Sequence, residues 1–173
     1  MLTDLEKNQA HLAREFNIEK QAAHLLTQHG LAQKGWTFAW NKRNKAFGLC
    51  NYLTKTIELS TPLFALTTDA SAFDTLLHEL AHAIAPRGAG HGPKWRAACR
   101  LVGANPVRTK SAAQAMTAEN EAIHTASFKY TATCPRCGYS FGQSRAVKAT
   151  TCCGKCHKRE QGIMVRFVTT QNR

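Results

Sequence analysis

One short segment of the chain carries side chains that could bind a metal ion and move a proton. Residues 75–82 read Thr-Leu-Leu-His-Glu-Leu-Ala-His, which places His78, Glu79 and His82 in a His-Glu-x-x-His pattern. Residues four apart lie on one face of a helix, so both imidazoles could bind one ion while Glu79 reaches a water molecule beside it. The pattern is typical of zinc-dependent peptidases, and it predicts that Glu79 is a general base.

The residues around this pattern favour a metal site over a chance match. The segment is rich in apolar side chains at helical spacing, namely Phe73, Leu76, Leu77, Leu80, Ala81 and Ile84. Burying three polar side chains in such a helix is costly unless they have a partner. Because a metal ion supplies that partner, the sequence predicts a metal-binding helix.

A third ligand is expected further along the chain, because catalytic zinc usually takes three protein ligands and keeps one position open. His91 is the best candidate, since residues 86–90, Pro-Arg-Gly-Ala-Gly, end the helix and contain two glycines that allow a sharp turn. A carboxylate, Glu119 or Glu121, is the alternative, because some peptidases use two histidines and a glutamate. Spacing alone leaves both possibilities open.

A second metal site is predicted near the end of the chain from two Cys-x-x-Cys pairs separated by fifteen residues: Cys134, Cys137, Cys153 and Cys156. Four thiolates at this spacing form a zinc ribbon, a structural site with no open position. Disulfides are the alternative, but the odd total of seven cysteines and the absence of a signal peptide at Met1 favour a reducing cytoplasm. Cys152 or His157 could replace a neighbour in this ligand set, although the knuckle spacing favours Cys153.

The formal net charge of +12 predicts a polyanionic partner, most simply DNA. The ribbon carries the candidate DNA contacts Arg136, Arg145, Lys148, Lys155, Lys158 and Arg159. Tyr130, Tyr139 and Phe141 lie beside these cations and could stack on unpaired bases, although they could equally fill the small core of the ribbon. A solvated basic surface that only aids solubility is the alternative interpretation.

The elements that must position these sites predict an α+β fold. Residues 5–29 read as an amphipathic helix ending at Gly30, with a core face made of Leu5, Leu12, Phe16, Ala23 and Leu26. Residues 36–40 and 46–50 flank a polar turn and predict a hairpin, with residues 56–59 as a third strand. Trp36 and Trp40 are expected in the core or on the sheet face.

The predicted domains are a peptidase core over residues 1–110, a linker or connecting helix over 111–127 and a zinc-ribbon subdomain over 128–173. The polar, alanine-rich composition of the middle segment suggests the boundary, and residues 111–123 could be helical. No stretch of the sequence is apolar enough to span a membrane. The chain is therefore expected to act without a membrane partner.

The two histidine segments resemble a known family. Residues 78–82, His-Glu-Leu-Ala-His, and 91–95, His-Gly-Pro-Lys-Trp, resemble the signature of the SprT-like zinc metallopeptidases, which include the Spartan DNA-protein crosslink proteases. Residues 47–50 and 56–60 are similar to the paired strands before the active helix, and the four-cysteine ribbon is similar to the one that closes many members. The resemblance covers residues 5–168.

This resemblance implies a zincin-like core with an N-terminal helix, a small antiparallel sheet and the His-Glu-x-x-His helix, followed by a zinc ribbon. It implies one catalytic zinc held by three histidines, one structural zinc, and Glu79 as the base. It also implies cleavage of DNA-associated proteins, including DNA-protein crosslinks, with single-stranded or gapped DNA as localising and activating partner. Arg87 or His124 are candidates for stabilising the oxyanion, on their chemistry alone.

A competing hypothesis keeps the zinc but not the catalysis. In it, the chain is a DNA-binding or transcription-associated protein whose ribbon makes the contacts and whose histidine site is vestigial. The intact Glu79 favours the peptidase, because a purely structural site has no need of a base. A toxin or phage factor that cuts one host protein would show the same residues.

Overall fold

The computed structural model describes residues 3–108, 115–159, 162 and 164–172 of the chain. The chain divides into two compact units, Met1–Thr117 and Ala118–Arg173. Each unit contains helices and one small three-stranded sheet, so the predicted mixed α+β class is confirmed. No helix within the described residues is long and apolar enough to cross a membrane.

The described residues of the first unit form four α-helices and three strands. The helices are α1 (Asp4–Gln28), α2 (Thr61–Phe64), α3 (Asp69–Ile84) and α4 (Pro93–Val102), with a 3-10 turn at Ala32–Lys34. The strands are β1 (Thr37–Asn41), β2 (Gly48–Asn51) and β3 (Thr56–Ser60). The core lies between α1, the sheet, α3 and α4, and it includes Leu76, Leu80 and Trp95.

Helix α1 buries a different face from the predicted one. Its buried residues are Ile18, Ala22 and Leu26. Three of the predicted core residues are instead 67%, 54% and 68% exposed, namely Leu5, Leu12 and Phe16, and Ala23 is exposed as well. The helix carries two apolar stripes, and the one that meets the core contains Ile18, Ala22 and Leu26. His11 and Arg14 lie on this same side and pack against the ring of Phe64. Only Leu26 among the five predicted residues faces the core.

The sheet is mixed rather than antiparallel, and the predicted hairpin between residues 36–40 and 46–50 is wrong. The strand order is β1-β3-β2, with β1 parallel and β2 antiparallel to β3. Ser60 at the end of β3 explains the difference, because its N–H donates to the carbonyl of Phe47 at 2.9 Å and its hydroxyl donates to the carbonyl of Arg43. These bonds hold the segment between β1 and β2 against the end of β3. Strand β2 therefore pairs with β3 and not with β1.

Helix α3 is the central element of the first unit. Thr68 caps its N-terminus by accepting a hydrogen bond from the N–H of Ser71 at 3.2 Å. The helix packs on α4, β2 and β3, and its buried apolar residues are Ala72, Leu76, Leu77, Leu80 and Ala81. Ala85 leaves the helical conformation, as expected for the residue before Pro86. Helix α4 begins at Pro93 and ends at Val102, and Gly103 follows it with a φ of 75°.

Within its described residues, the second unit has two helices and a sheet of three antiparallel strands. The helices are α5 (Ala118–Ala126) and α6 (Gly154–Arg159), and the strands are β4 (Tyr130–Thr133), β5 (Ser140–Gln143) and β6 (Val168–Gln171). The strand order is β5-β4-β6. The predicted helix over residues 111–123 overlaps α5, whereas its residues 111–114 lie outside the described ranges.

Candidate metal centres

Three imidazoles of the first unit meet at one point. The Nε2 atom of His91 lies 3.2 Å from the Nε2 of His78 and 3.2 Å from the Nε2 of His82. All three ligand atoms lie within 4.8 Å of one another, and each side chain is partly exposed. The structure therefore brings together the three histidines that the sequence predicts as ligands.

These distances suit one tetrahedral ion. Imidazole nitrogens bind zinc at about 2.0–2.1 Å, so two of them at tetrahedral angles lie about 3.3 Å apart. The observed separation of 3.2 Å is close to that value for both pairs. The described groups that could hold a metal contain neither Glu119 nor Glu121.

Local structure explains why the three rings converge. His78 and His82 are four residues apart on α3, and α3 ends shortly after His82. Gly88 and Gly90 then adopt positive φ angles of 86° and 52°, which favour glycine and let the chain turn back. His91 follows directly, just before α4 begins.

Trp95 supports all three rings from one side. Its ring centroid lies 4.8 Å from that of His78, 5.3 Å from that of His82 and 4.6 Å from that of His91. The Trp95 side chain is fully buried, and its indole Nε1 has no hydrogen-bond partner among the described residues. The tryptophan fixes the rotation of the rings by packing.

The surroundings of His82 and His91 favour the neutral form of these two imidazoles, which is the form that binds a metal. Burial and the neighbouring His91 lower the pKa of His82 to about 4. Burial and the positive charge of Arg108 lower the pKa of His91. A neutral ring nitrogen keeps its lone pair, so the set is suited to a divalent cation.

Glu79 follows His78 on α3, and its side chain lies against strand β2. Its side chain is only 9% exposed. Burial raises the pKa of Glu79 to about 7, and a hydrogen bond from the backbone N–H of Cys50 opposes that rise. A carboxyl with a pKa near neutrality can both accept and release a proton, which is the property of a general base that later acts as an acid.

Two further residues border this carboxylate, and sequence reasoning did not assign them a role. Gly48 packs directly against the Glu79 side chain. The Tyr52 hydroxyl donates a hydrogen bond of 2.8 Å to the backbone carbonyl of His82, which ties the β2–β3 turn to α3. A glycine inside a predicted strand was the available signal, because it often marks a close approach of another group.

The second unit brings together the four predicted ribbon cysteines. The Sγ atoms of Cys134 and Cys156 lie 3.7 Å apart, as do those of Cys137 and Cys153. Thiolates bind zinc at about 2.3 Å, which places tetrahedral neighbours about 3.8 Å apart. Zinc is therefore a plausible ion for this group as well as for the histidine group.

The two alternative ribbon ligands, Cys152 and His157, are not part of the four-cysteine group. Cys152 is outside the four-cysteine group, and its Sγ donates to the carbonyl of Thr150 at 3.5 Å. His157 is exposed on α6.

The two oxyanion candidates lie in different units. The positive charge of Arg87 acts on the phenol of Tyr52 in the first unit. His124 packs against Phe128 in the second unit, with ring centroids 5.1 Å apart. Roles for Arg87 and His124 at an oxyanion stay predictions.

Most of the predicted DNA contacts are surface residues of the second unit. Five of them are exposed: Arg136, Arg145, Lys148, Lys155 and Lys158. The side chain of the sixth, Arg159, lies outside the described part of the structure. Tyr139 and Phe141 stack with centroids 5.8 Å apart, and Lys155 Nζ lies 3.7 Å above the Tyr139 ring. Tyr139 also packs on the cysteine group, so it fills the small core while it remains partly exposed.

Comparison with known protein families identifies a match. The sequence model of the SprT-like family matches residues 17–118, which is more than half of the chain and includes the three histidines and Glu79. The four cysteines lie beyond the matched range. A comparison with curated proteins found no match.

Proposed function

The chain belongs to the SprT-like family, and on that premise we propose that it is a zinc-dependent metalloendopeptidase that cleaves DNA-associated proteins, including DNA-protein crosslinks. Membership of this family indicates a metallopeptidase-like function. The observation that carries the proposal is the convergence of three imidazole Nε2 atoms beside a buried carboxylate. A zincin-like core in the first unit is part of the same proposal.

The donor set fits zinc. His78, His82 and His91 would hold the catalytic ion, because three neutral imidazoles at tetrahedral spacing leave a fourth position open. When bound there, zinc would polarise the scissile carbonyl and lower the pKa of a neighbouring water molecule. The four cysteines would hold a second, structural zinc with no open position.

Glu79 would carry the proton through the reaction. Its carboxylate would accept a proton from the attacking water as the new C–O bond forms, and would then donate that proton to the nitrogen of the leaving amine as the C–N bond breaks. The raised pKa of Glu79 suits both steps, because neither transfer is strongly uphill near neutral pH.

DNA is the proposed localising and activating partner, and the second unit would bind it. Support comes from the exposed cations of this unit and from its partly exposed aromatic pair, Tyr139 and Phe141. Bases of single-stranded or gapped DNA could stack on such rings while phosphates contact Arg145 and Lys148. We place the protein in the cytoplasm with DNA, where its free thiols stay reduced.

We expect single-stranded DNA to stimulate cleavage of a basic DNA-binding protein, and we expect added salt to weaken that stimulation. For the double variant Arg145→Ala and Lys148→Ala, the slope of log affinity against log salt should fall by about 0.7 per lost phosphate contact. Fluorescence anisotropy with a labelled oligonucleotide measures the slope, and a gel assay measures cleavage.

The matched control removes two exposed lysines of α1, Lys7 and Lys20, which carry the same charge in the other unit. This variant should keep the wild-type slope, because those lysines are not proposed to touch DNA. Cleavage that is insensitive to salt and indifferent to DNA would defeat the DNA part of the proposal. Tight DNA binding with no cleavage of any protein would favour the non-catalytic binding module.

A further inference from the structure

The backbone of strand β2 lies against the candidate base. A Cβ atom added to Gly48 would be 2.7 Å from Cγ of Glu79 and 3.0 Å from its Oε1. Real Cβ atoms essentially never have such a neighbour closer than 3.0 Å, and the first distance is below that limit. Glu79 can therefore occupy its observed place only because residue 48 has no side chain.

The register of the sheet shows which β2 groups face Glu79. The N–H of Ser60 donates to the carbonyl of Phe47, so this opposed pair is a hydrogen-bonded pair of the antiparallel ladder. Hydrogen-bonded and non-hydrogen-bonded pairs alternate along an antiparallel ladder. Gly48 and Cys50 therefore belong to non-hydrogen-bonded pairs, and their amides point away from β3. Burial raises the pKa of Glu79 and a backbone interaction with Cys50 lowers it, which agrees with an outward Cys50 N–H that faces the carboxylate.

We propose that strand β2 positions the general base: Gly48 provides the space for the Glu79 side chain, and the Cys50 N–H orients its carboxylate. Gly48 is then a positioning residue, because it acts on the reaction only through Glu79. This inference rests on the proposed peptidase function, and it adds that the sheet edge holds the base while α3 and His91 hold the metal.

The kinetic test is Gly48→Ala. Because a misplacement of about 1 Å at a reacting group can cost about 100-fold in rate, kcat should fall by about that factor. KM and zinc content should stay at the wild-type values, since Gly48 is proposed to act only through Glu79 and the histidines do not change. A variant that keeps its full kcat would overturn the inference.

Thr75 provides a control for crowding, because the added Cβ would also lie 3.0 Å from its Cγ2. Thr75→Ser removes that methyl and retains the hydroxyl that donates to the carbonyl of Ser71 at 2.9 Å. The single variant should cleave like the wild type. In combination with Gly48→Ala it should not restore kcat, and full restoration would show that crowding of α3, rather than of Glu79, causes the loss.

A double-mutant cycle tests whether Gly48 acts through Glu79. Glu79→Asp shortens the side chain by one methylene and should lower kcat by itself. In the Gly48→Ala background the same change should cost at least about 10-fold less, because the base is already misplaced. Fully additive losses would contradict a positioning role.

Hydrogen exchange tests the contact without any need for activity. In Glu79→Ala, the amide of Cys50 should exchange about 10-fold faster or more, because an outward amide of an edge strand loses its acceptor. The amides of Leu49 and Asn51 point towards β3 and should keep their rates. Unchanged exchange at Cys50 would overturn the inference, whereas a wild type that cleaves nothing would overturn the proposed function.

Discussion

Glu79→Gln is expected to suppress peptide cleavage by about 10³- to 10⁴-fold while both metal groups remain loaded. The amide side chain has the same shape as the carboxylate and its oxygen can still accept the Cys50 N–H. It cannot take a proton from water, so only the chemical step fails. The histidines are untouched, so zinc content should equal that of the wild type.

The same substitution should leave the fold intact. The pKa of Glu79 is raised to about 7 in the folded chain, from a model-compound value of 4.5, because the side chain is buried. A carboxyl whose pKa is raised on folding destabilises the folded state as pH rises from the lower to the higher value. Removing this charge should therefore not lower the unfolding temperature of the metal-free protein at pH 8.

Cleavage rate, zinc content by elemental analysis and thermal unfolding check this expectation. Glu119→Gln is the matched control, since it removes a carboxylate that the sequence offers as an alternative ligand. It should keep both zinc and activity. Loss of zinc in Glu119→Gln, or near-wild-type cleavage by Glu79→Gln, would contradict the assignment of these residues.

Single ligand substitutions in the two groups should remove different ions with different structural effects. His78→Ala should release the zinc of the first unit and abolish cleavage, but the unit should stay folded because its core contains Leu76, Leu80 and Trp95. Cys134→Ser should release the other zinc and unfold the second unit. The binding free energy of a structural zinc is about 10–16 kcal/mol, and a short unit has little other core to replace it.

Circular dichroism and elemental analysis on both variants measure these effects. Cys152→Ser is the control for the cysteine substitution, because Cys152 lies outside the four-cysteine group. It should keep both zinc ions and an intact second unit. Loss of zinc in Cys152→Ser would show that this residue replaces Cys153 or another neighbour in the ligand set.

The sequence predicts the parts of the site that depend on short spacing. The apolar residues around His78 and His82 recur at helical spacing, which predicts a helix. The two histidines are about one turn apart on it, which predicts that their imidazoles lie on the same face. The two Cys-x-x-Cys pairs are local in the same sense. His91 follows less directly, because its approach depends on how residues 86–90 turn.

Longer-range features could not be read in this way. The hairpin prediction is wrong because it assumes that strands adjacent in sequence pair with each other, as they usually do. Here Ser60 binds the segment between β1 and β2, and β2 pairs with β3. The sequence predicts the wrong core face for α1 because hydrophobicity alone does not reveal that His11 and Arg14 cover Phe64. The contact between Gly48 and Glu79 joins two elements that are distant in sequence, so no local pattern contains it.

Zinc content and cleavage measured on one preparation test the central claim most directly. The wild type and Glu79→Gln would be assayed on a basic DNA-binding protein, with and without single-stranded DNA, before chelation, after chelation and after zinc is restored. We predict about two zinc ions per chain in both proteins, one for each metal group. DNA-stimulated cleavage should occur only in the wild type, vanish on chelation and return with zinc. Two zinc ions per chain with no cleavage under any DNA condition would contradict the peptidase assignment.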